Sequence, residues 1–375
     1  MKKALAERPV SLEATLDPRE VAEVQRALAE LRAGRAVHFK PLSGPTLLVL
    51  ATEGLDPASL GGVLTGTEAA FRGKARLLLT ATRARHLGLA PATGAETLAL
   101  SAEHLGLAEI AELTDPTRPR QRAVEQLPPV TEPLPSAVAI LELLKAARLL
   151  PAALVLPGED KKGVLAVSEG SIRRFRDQAA RLLSRVAEAK VPLLDAEETS
   201  IVAFRPADGG REHLAIIIGE LDASKPVLTR LHSECFTGDL LRSLRCDCGD
   251  QLRGAIDAMS HEGAGVLLYL AQEGRGIGLV NKLRAYALQD RGADTLDANE
   301  QLGFGADERV YRPAAEMLRQ LGIVQVRLLT NNPLKVEALT ACNVEVVARV
   351  PHSFPANGHN TAYLSTKAQR FGHLL

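Results

Sequence analysis

The chain has 375 residues with 45 basic against 45 acidic side chains, so its formal net charge is zero, which excludes a general nucleic-acid binder with a basic excess. Aromatic residues make up 3 % of the chain and tryptophan is absent, which removes a stacking platform for single-stranded nucleic acid. The length and an apolar fraction of 46 % suit two domains, each with its own core, and no run is long and apolar enough to span a bilayer.

The start (MKKAL) resembles the basic end of a signal peptide, but Glu7, Arg8, Glu13 and Asp17 interrupt any apolar stretch behind it. Together with three clustered cysteines that form no disulfide framework, this gives the expectation of a cytoplasmic protein with reduced thiols.

In chain order, Val21, Val24, Leu28 and Leu31 recur at helical spacing, and Gly34 ends the pattern. Residues 46–51 (TLLVLA) and 75–80 (ARLLLT) read as buried strands, and 101–113 as a helix capped by Ser101. Six prolines within 114–136 mark a linker. A helix over 137–149, a strand over 153–156 and a basic amphipathic helix over 171–189 follow. The second half is expected from Val191, dividing the chain into 1–190 and 191–375. Its strands are expected at 199–204, 214–219, 227–232, 266–271, 326–330 and 345–350. Its helices are expected at 250–261, 278–289, 312–321, 333–341 and 361–371. The fold class is α/β in the α+β sense, with mixed sheets in two domains.

The strongest chemical signal is Cys235, Cys246 and Cys248, three of only four cysteines, within fourteen residues. Thiolates suit zinc, and three protein ligands leave a corner for a water whose proton the ion loosens near neutral pH. Three buried cysteines packed as small hydrophobes are the alternative, against which Arg245, Asp247 and Asp250 count. Cys342, in an apolar helix, reads as core.

Residues 272–279 (QEGRGIGL) sit between a strand and a helix, where glycines let amides approach an anion and Arg275 can grip a phosphate. A tight turn with no ligand explains the same pattern equally well. In 330–335 (TNNPLK), Asn332 can cap, Pro333 suits the first helical position and Lys335 lies one turn in; an ordinary helix start is the alternative. From spacing alone, Asp307-Glu308-Arg309 reads as a solvated charge cluster and Tyr286 as a core residue.

Taken together, 230–235 (RLHSEC), 237–239 (TGD), 243–249 (SLRCDCG), 272–279, 281–290 (NKLRAYALQD), 301–304 (QLGF), 307–309 (DER) and 328–333 (LLTNNP) resemble GTP cyclohydrolase II, in order and spacing, from about Val191 to the end. The resemblance implies that Cys235, Cys246 and Cys248 hold one zinc ion per chain. It places Arg230, Leu231, His232, Ser233, Glu234, Gln251, Glu273, Gly274, Arg275, Thr295, Thr330 and Lys335 along GTP. It makes Asp307 a proton acceptor, Arg309 the nucleophile on the α-phosphorus and Tyr286 an assistant in ring opening. It further implies magnesium on the triphosphate, a homodimer, and products formate, pyrophosphate and 2,5-diamino-6-(5-phosphoribosylamino)pyrimidin-4-one, the first step of riboflavin synthesis. No nucleic-acid or membrane partner is expected. A paralogue with another product and a non-catalytic zinc nucleotide binder are the rival readings.

In the first half, 31–34 (LRAG) and 80–89 (TATRARHLGL) resemble 3,4-dihydroxy-2-butanone 4-phosphate synthase. That family needs an acidic cluster after its first strand, whereas 38–46 (HFKPLSGPT) holds no carboxylate. The expectation is a degenerate synthase-like domain without that activity.

Overall fold

Strands that read as uninterrupted apolar runs must be covered on both faces. In the computed structural model, which describes residues 17–56, 74–158, 163–207 and 209–374, such strands form the centre of a first, six-stranded sheet. The signal-like start lies outside the described residues. The sheet order is β4 (Thr97–Ser101), β3 (Arg76–Thr80), β5 (Ala152–Pro157), β2 (Leu47–Ala51), β1 (Val37–Lys40) and β6 (Ala166–Ser168). Period-two alternation splits each central strand between two cores. Leu47, Val49 and Ala51 pack with α1 (Pro18–Arg32), α4 (Ala137–Ala146) and α5 (Glu169–Arg181). Leu48 and Leu50 face the other way, toward α2 (Ala81–His86) and α3 (Leu107–Thr114). Helix α1 buries Val21, Val24, Leu28 and Leu31 as the spacing predicts, starting at the Asp17 cap.

A second, seven-stranded sheet runs β13 (Glu345–Val350), β12 (Gln325–Leu329), β10 (Val227–Ser233), β11 (Ala264–Leu270), β9 (His213–Gly219), β8 (Thr199–Arg205) and β7 (Ser184–Lys190). The four strands β13, β12, β10 and β11 are mutually parallel, and the rest are antiparallel. Helices α6 (Cys248–Glu262), α7 (Leu279–Gln289), α8 (Thr295–Gln301), α9 (Arg312–Gln320), α10 (Pro333–Ala341) and α11 (Thr361–Phe371) complete this half. Both halves are thus mixed α/β, as expected. Among the described residues no helix is long and apolar enough to cross a membrane.

Two expected helices change. Ser101 does not cap a helix; it ends β4 opposite Arg76, and the helix starts after Gly106. The basic helix over 171–189 stops at Arg181, and Ser184–Lys190 becomes β7, so the second sheet begins seven residues before the expected boundary at 191. The residues of β7 (SRVAEAK) have fair helix propensity, but pairing with β8 overrides it. As an exposed edge strand it carries Arg185, Glu188 and Lys190, which discourage further pairing. The proline-rich stretch 114–136 is largely irregular and lies along the outer edge of β4, where Thr131 N donates to Ala99 O at 2.9 Å.

Gly219 ends β9 with φ +65°, and a Cβ there would stand 1.9 Å from the carbonyl oxygen of Gly263, which precedes β11. Left-handed backbone and close approach both require glycine. Gly219→Ala is expected to cost about 1–3 kcal/mol or more. The thermal unfolding midpoint checks this; an unchanged midpoint contradicts the packing.

Candidate active site

In open sheets with parallel strands, a crevice forms where successive connections leave to opposite sides. Strand β10 is that point: the chain crosses through α6 to β11 on one side and later returns to β12 on the other. The segments leaving the carboxyl ends of β10, β11 and β12 carry almost every residue singled out from the sequence.

Cys235 follows β10 directly, and Cys248 opens α6 with Cys246 two residues before. Their Sγ atoms all lie within 4.8 Å of one another, with Cys235 and Cys246 3.8 Å apart. Two sulfurs each about 2.3 Å from a tetrahedral zinc would be separated by about 3.8 Å, so the trio fits the ion. Gly238 makes this possible, since a Cβ would meet Cys246 Sγ at 2.8 Å and Cys235 Sγ at 3.0 Å. Without a cation the thiols compete. Hydrogen bonds from Cys246 and Cys248, together with Lys282, drive the Cys235 thiol far below its usual range. The same hydrogen bond pushes Cys246 up to about 11. Three adjacent thiolates require a divalent ion to coexist. Lys282 Nζ reaches Cys235 Sγ at 3.0 Å, and Thr237 Oγ1 and Glu273 Oε1 at 2.9 Å. His232 and Tyr269 both hydrogen-bond Asp239, whose carboxylate also accepts from Cys235 N, fixing the start of the loop.

The same cavity gathers buried cations. Arg230 donates to Leu329 O at 2.9 Å and to Gln251, and burial lowers its pKa to about 10. Lys335 donates to Leu231 O at 2.8 Å; burial, with Arg230 and Arg309 nearby, holds its ammonium well below the usual range. Asn332 caps α10 through Leu334 N at 3.0 Å with Pro333 next, as predicted, and Thr330 orients the turn through Asn332 N. Gly274, Arg275, Gly276 and Gly278 all have positive φ, and Arg275 lies over the Phe371 ring at 4.0 Å. Arg230 Nε, His232 Nδ1, Ser233 Oγ, Glu234 Oε2 and Arg275 Nη1 are buried without a hydrogen-bond partner. Buried polar atoms are normally satisfied, so five orphans around one cavity point to a polar ligand.

Arg309 faces the cavity with Asp307 behind it, gripped through bonds of 2.8 and 2.5 Å. Burial opposes ionisation of Asp307, but Arg309 and Arg275 overcome it and hold its carboxyl below the usual range. Asp307 and Leu231 therefore do not line the cavity: one acts through Arg309, and the other is a core side chain offering only its carbonyl. Asp307 and Arg309 form a largely buried pair, with side chains 15 % and 13 % exposed, not the solvated cluster that spacing alone suggests. Tyr286 reaches the cavity, not the core, with the Arg245 guanidinium 4.9 Å from its ring centroid; Thr295 lines the wall near it. Cys342 packs beside the core of the second sheet, as expected.

The GTP cyclohydrolase II family profile matches residues 184–351. A GTP cyclohydrolase-2 of Azospirillum brasilense is 52 % identical over 372 residues, spanning 96 % of this chain and 95 % of its own. The chain belongs to the GTP cyclohydrolase II family. The GTP cyclohydrolase-2 of Yersinia pseudotuberculosis is 55 % identical over 193 residues, covering 52 % of this chain and 98 % of its own. A solved two-domain 3,4-dihydroxy-2-butanone 4-phosphate synthase from A. baumannii aligns over 88 % of this chain and 99 % of its own at 16 % identity, with a TM-score of 0.30, too low to bear on fold or function.

Sequence reasoning missed several groups lining the cavity of this cyclohydrolase. Lys282 was legible, four residues before Tyr286 and so on the same face of α7. Tyr363 and Lys367 on α11 carried no such signal; Lys367 pairs with buried Asp247 at 2.6 Å, which docks the helix beside the thiols. His352, whose pKa burial lowers to about 4, is neutral at physiological pH and hydrogen-bonds Gln251 O at 2.8 Å.

Cys246→Ser removes one of three thiolates and is expected to abolish zinc retention and ring opening together. Elemental analysis of the purified variant checks this, and one zinc per chain with normal turnover refutes the site.

Proposed function

We propose that this cyclohydrolase converts GTP to 2,5-diamino-6-(5-phosphoribosylamino)pyrimidin-4-one, formate and pyrophosphate, the first step of riboflavin synthesis. The observation that carries the reading is one cavity holding both a thiol trio and a buried cationic cradle. When bound by the thiols, zinc supplies a Lewis acid and lowers the pKa of water beside it.

The cradle binds the triphosphate. Arg275 and Lys335 leave helix-start turns toward it, and Arg230 adds a third positive charge from the centre of the sheet. Magnesium on the triphosphate is part of the proposal, because hard phosphate oxygens suit it. Ser233 Oγ and Glu234 Oε2 are free to meet the purine or ribose. Arg309 attacks the α-phosphorus: an N–P bond forms, the bridging P–O bond breaks and pyrophosphate leaves; water later cleaves the N–P bond, which returns Arg309 and leaves the product's 5′-phosphate. Asp307, already bonded to Nε and Nη2, takes the proton. This transfer is uphill in the resting pair, since Asp307 holds the Arg309 guanidinium above its usual pKa against the effect of burial. Tyr286, whose pKa burial raises, stays a neutral donor beside the thiols during ring opening and deformylation.

The first half is proposed to be a synthase-like domain without synthase activity, paired with a cyclohydrolase domain that begins with the second sheet. The loop after β1 holds no carboxylate, and Glu169, which accepts from Leu42 N there, is committed to Ser136 and Arg173. A homodimer in the cytoplasm completes the reading.

Three outcomes are expected. Arg309→Ala abolishes pyrophosphate release from GTP, and product mass spectrometry of the parent shows the deformylated pyrimidine; a formylated product favours the paralogue reading. The full chain forms no butanone phosphate from ribulose 5-phosphate, and clear formation defeats the assignment of the first half.

A further inference from the structure

We propose that the first half of this chain is the positioning frame of the nucleotide cavity, with Lys145 and Arg148 as positioning residues for the two loops that carry Arg275 and Arg309. The proposal rests on the cyclohydrolase reading above.

The loop over 272–278 closes on itself through Gly276 N to Gln272 O at 3.2 Å and Gly278 N to Glu273 O at 3.0 Å, but it does so around a strained residue. Arg275 is a non-glycine residue at φ 60°, flanked by glycines at φ 64° and 94°. Such a conformation persists only where its surroundings impose it. Part of that constraint comes from the first half. Arg148, after α4, donates from Nη2 to Ala271 O at 2.9 Å, the residue that leads into the loop. Its own carbonyl accepts from Asn281 Nδ2 at 2.9 Å, on the helix that leaves the loop. Its side chain also lies where a Cβ on Gly278 would meet it at 3.2 Å. One residue thus contacts the entry, the exit and the last glycine of the turn.

Lys145, on α4, pairs with Glu308 at 3.0 Å and, at the same distance, with Glu142 of its own helix. Glu308 sits between Asp307 and Arg309; its carboxylate accepts from Gly305 N at 2.8 Å, and its own N–H donates to Arg275 O at 3.1 Å. The ion pair therefore fixes the link between the two loops. Apolar packing joins the halves at the same place, with Leu150 buried in one cluster with Ile277 and Ala285. Glu53 anchors the other end of the motif, accepting from Arg284 at 3.1 Å and from Leu150 N at 3.0 Å. None of these first-half residues touches the cavity, so none is catalytic. A reacting geometry that depends on an arginine and a phosphate grip tolerates little displacement.

The test uses the full chain carrying Lys145→Met, or Arg148→Gly, since Arg148 sits at φ 59°, which glycine adopts without strain. Zinc content, thermal midpoint, GTP kinetics and binding of a non-hydrolysable GTP analogue are measured. Retained zinc and fold with a fall in kcat/KM of roughly ten- to a hundredfold are expected, divided between kcat and KM. Lys145→Arg, and the reversed pair Lys145→Glu with Glu308→Lys, are expected to recover most of it. Folded, zinc-loaded variants with parental kinetics and analogue binding overturn the proposal, as does a folded reversed pair no better than Lys145→Glu alone. If Lys145→Met does not fold, Arg148→Gly decides by the same criteria. A parent chain that leaves GTP intact counts against the cyclohydrolase reading instead; analogue binding then still decides the frame, weaker binding in the variants supporting it and equal binding overturning it.

Discussion

Positive charge held out of water is the constraint around which this molecule is arranged. Arg230, Lys335 and Arg309 converge on one buried cavity, with Arg275 on its wall. Burying unpaired charge is expensive, and mutual repulsion adds to the cost. The protein offsets part of it locally: Asp307 clamps Arg309, carbonyls at the ends of β10 and β12 accept from Lys335 and Arg230, and Gln251 bridges Arg230 to Asp247. The remainder is a standing affinity for a multiply charged anion. Orphaned donors at Arg230 and Arg275 are the visible part of that imbalance.

The thiol trio obeys the same logic with the opposite sign. Three sulfurs this close cannot all ionise alone, and Lys282 supports only the first. A divalent ion held by Cys235, Cys246 and Cys248 would resolve the conflict, on the wall of the cavity that the cationic cradle also borders. Two unfinished electrostatic sites stand side by side in this cavity, a cationic cradle and a thiol trio that could hold a metal ion. The loops between them are short and glycine-dependent, and backbone of that kind needs external support.

That support makes the chain one functional object instead of a catalytic half with a vestige attached. The relative from Yersinia matches 52 % of this chain over 98 % of its own length, so the rest of this chain has almost no counterpart there. In this chain, α4 and the residues after it contact the loops that carry Arg275 and Arg309.

The sequence alone determined the chemistry. Cysteine spacing, the glycine turn and the Asn-Pro helix start are local signals, and each one's physics is complete within fourteen residues. It also determined most buried strands and helices, whose periodicity reflects which face meets the core. What it could not determine was anything decided by a partner distant in the chain. Ser184–Lys190 reads as the end of a basic helix until β8 offers it an edge. Asp307 and Arg309 read as solvated charges until the fold buries them together. Lys367, and the contacts of Lys145 and Arg148 across the halves, gain meaning only from residues more than a hundred positions away. Propensity and spacing act over one or two turns, whereas burial and ion pairing depend on which surfaces the tertiary structure brings together.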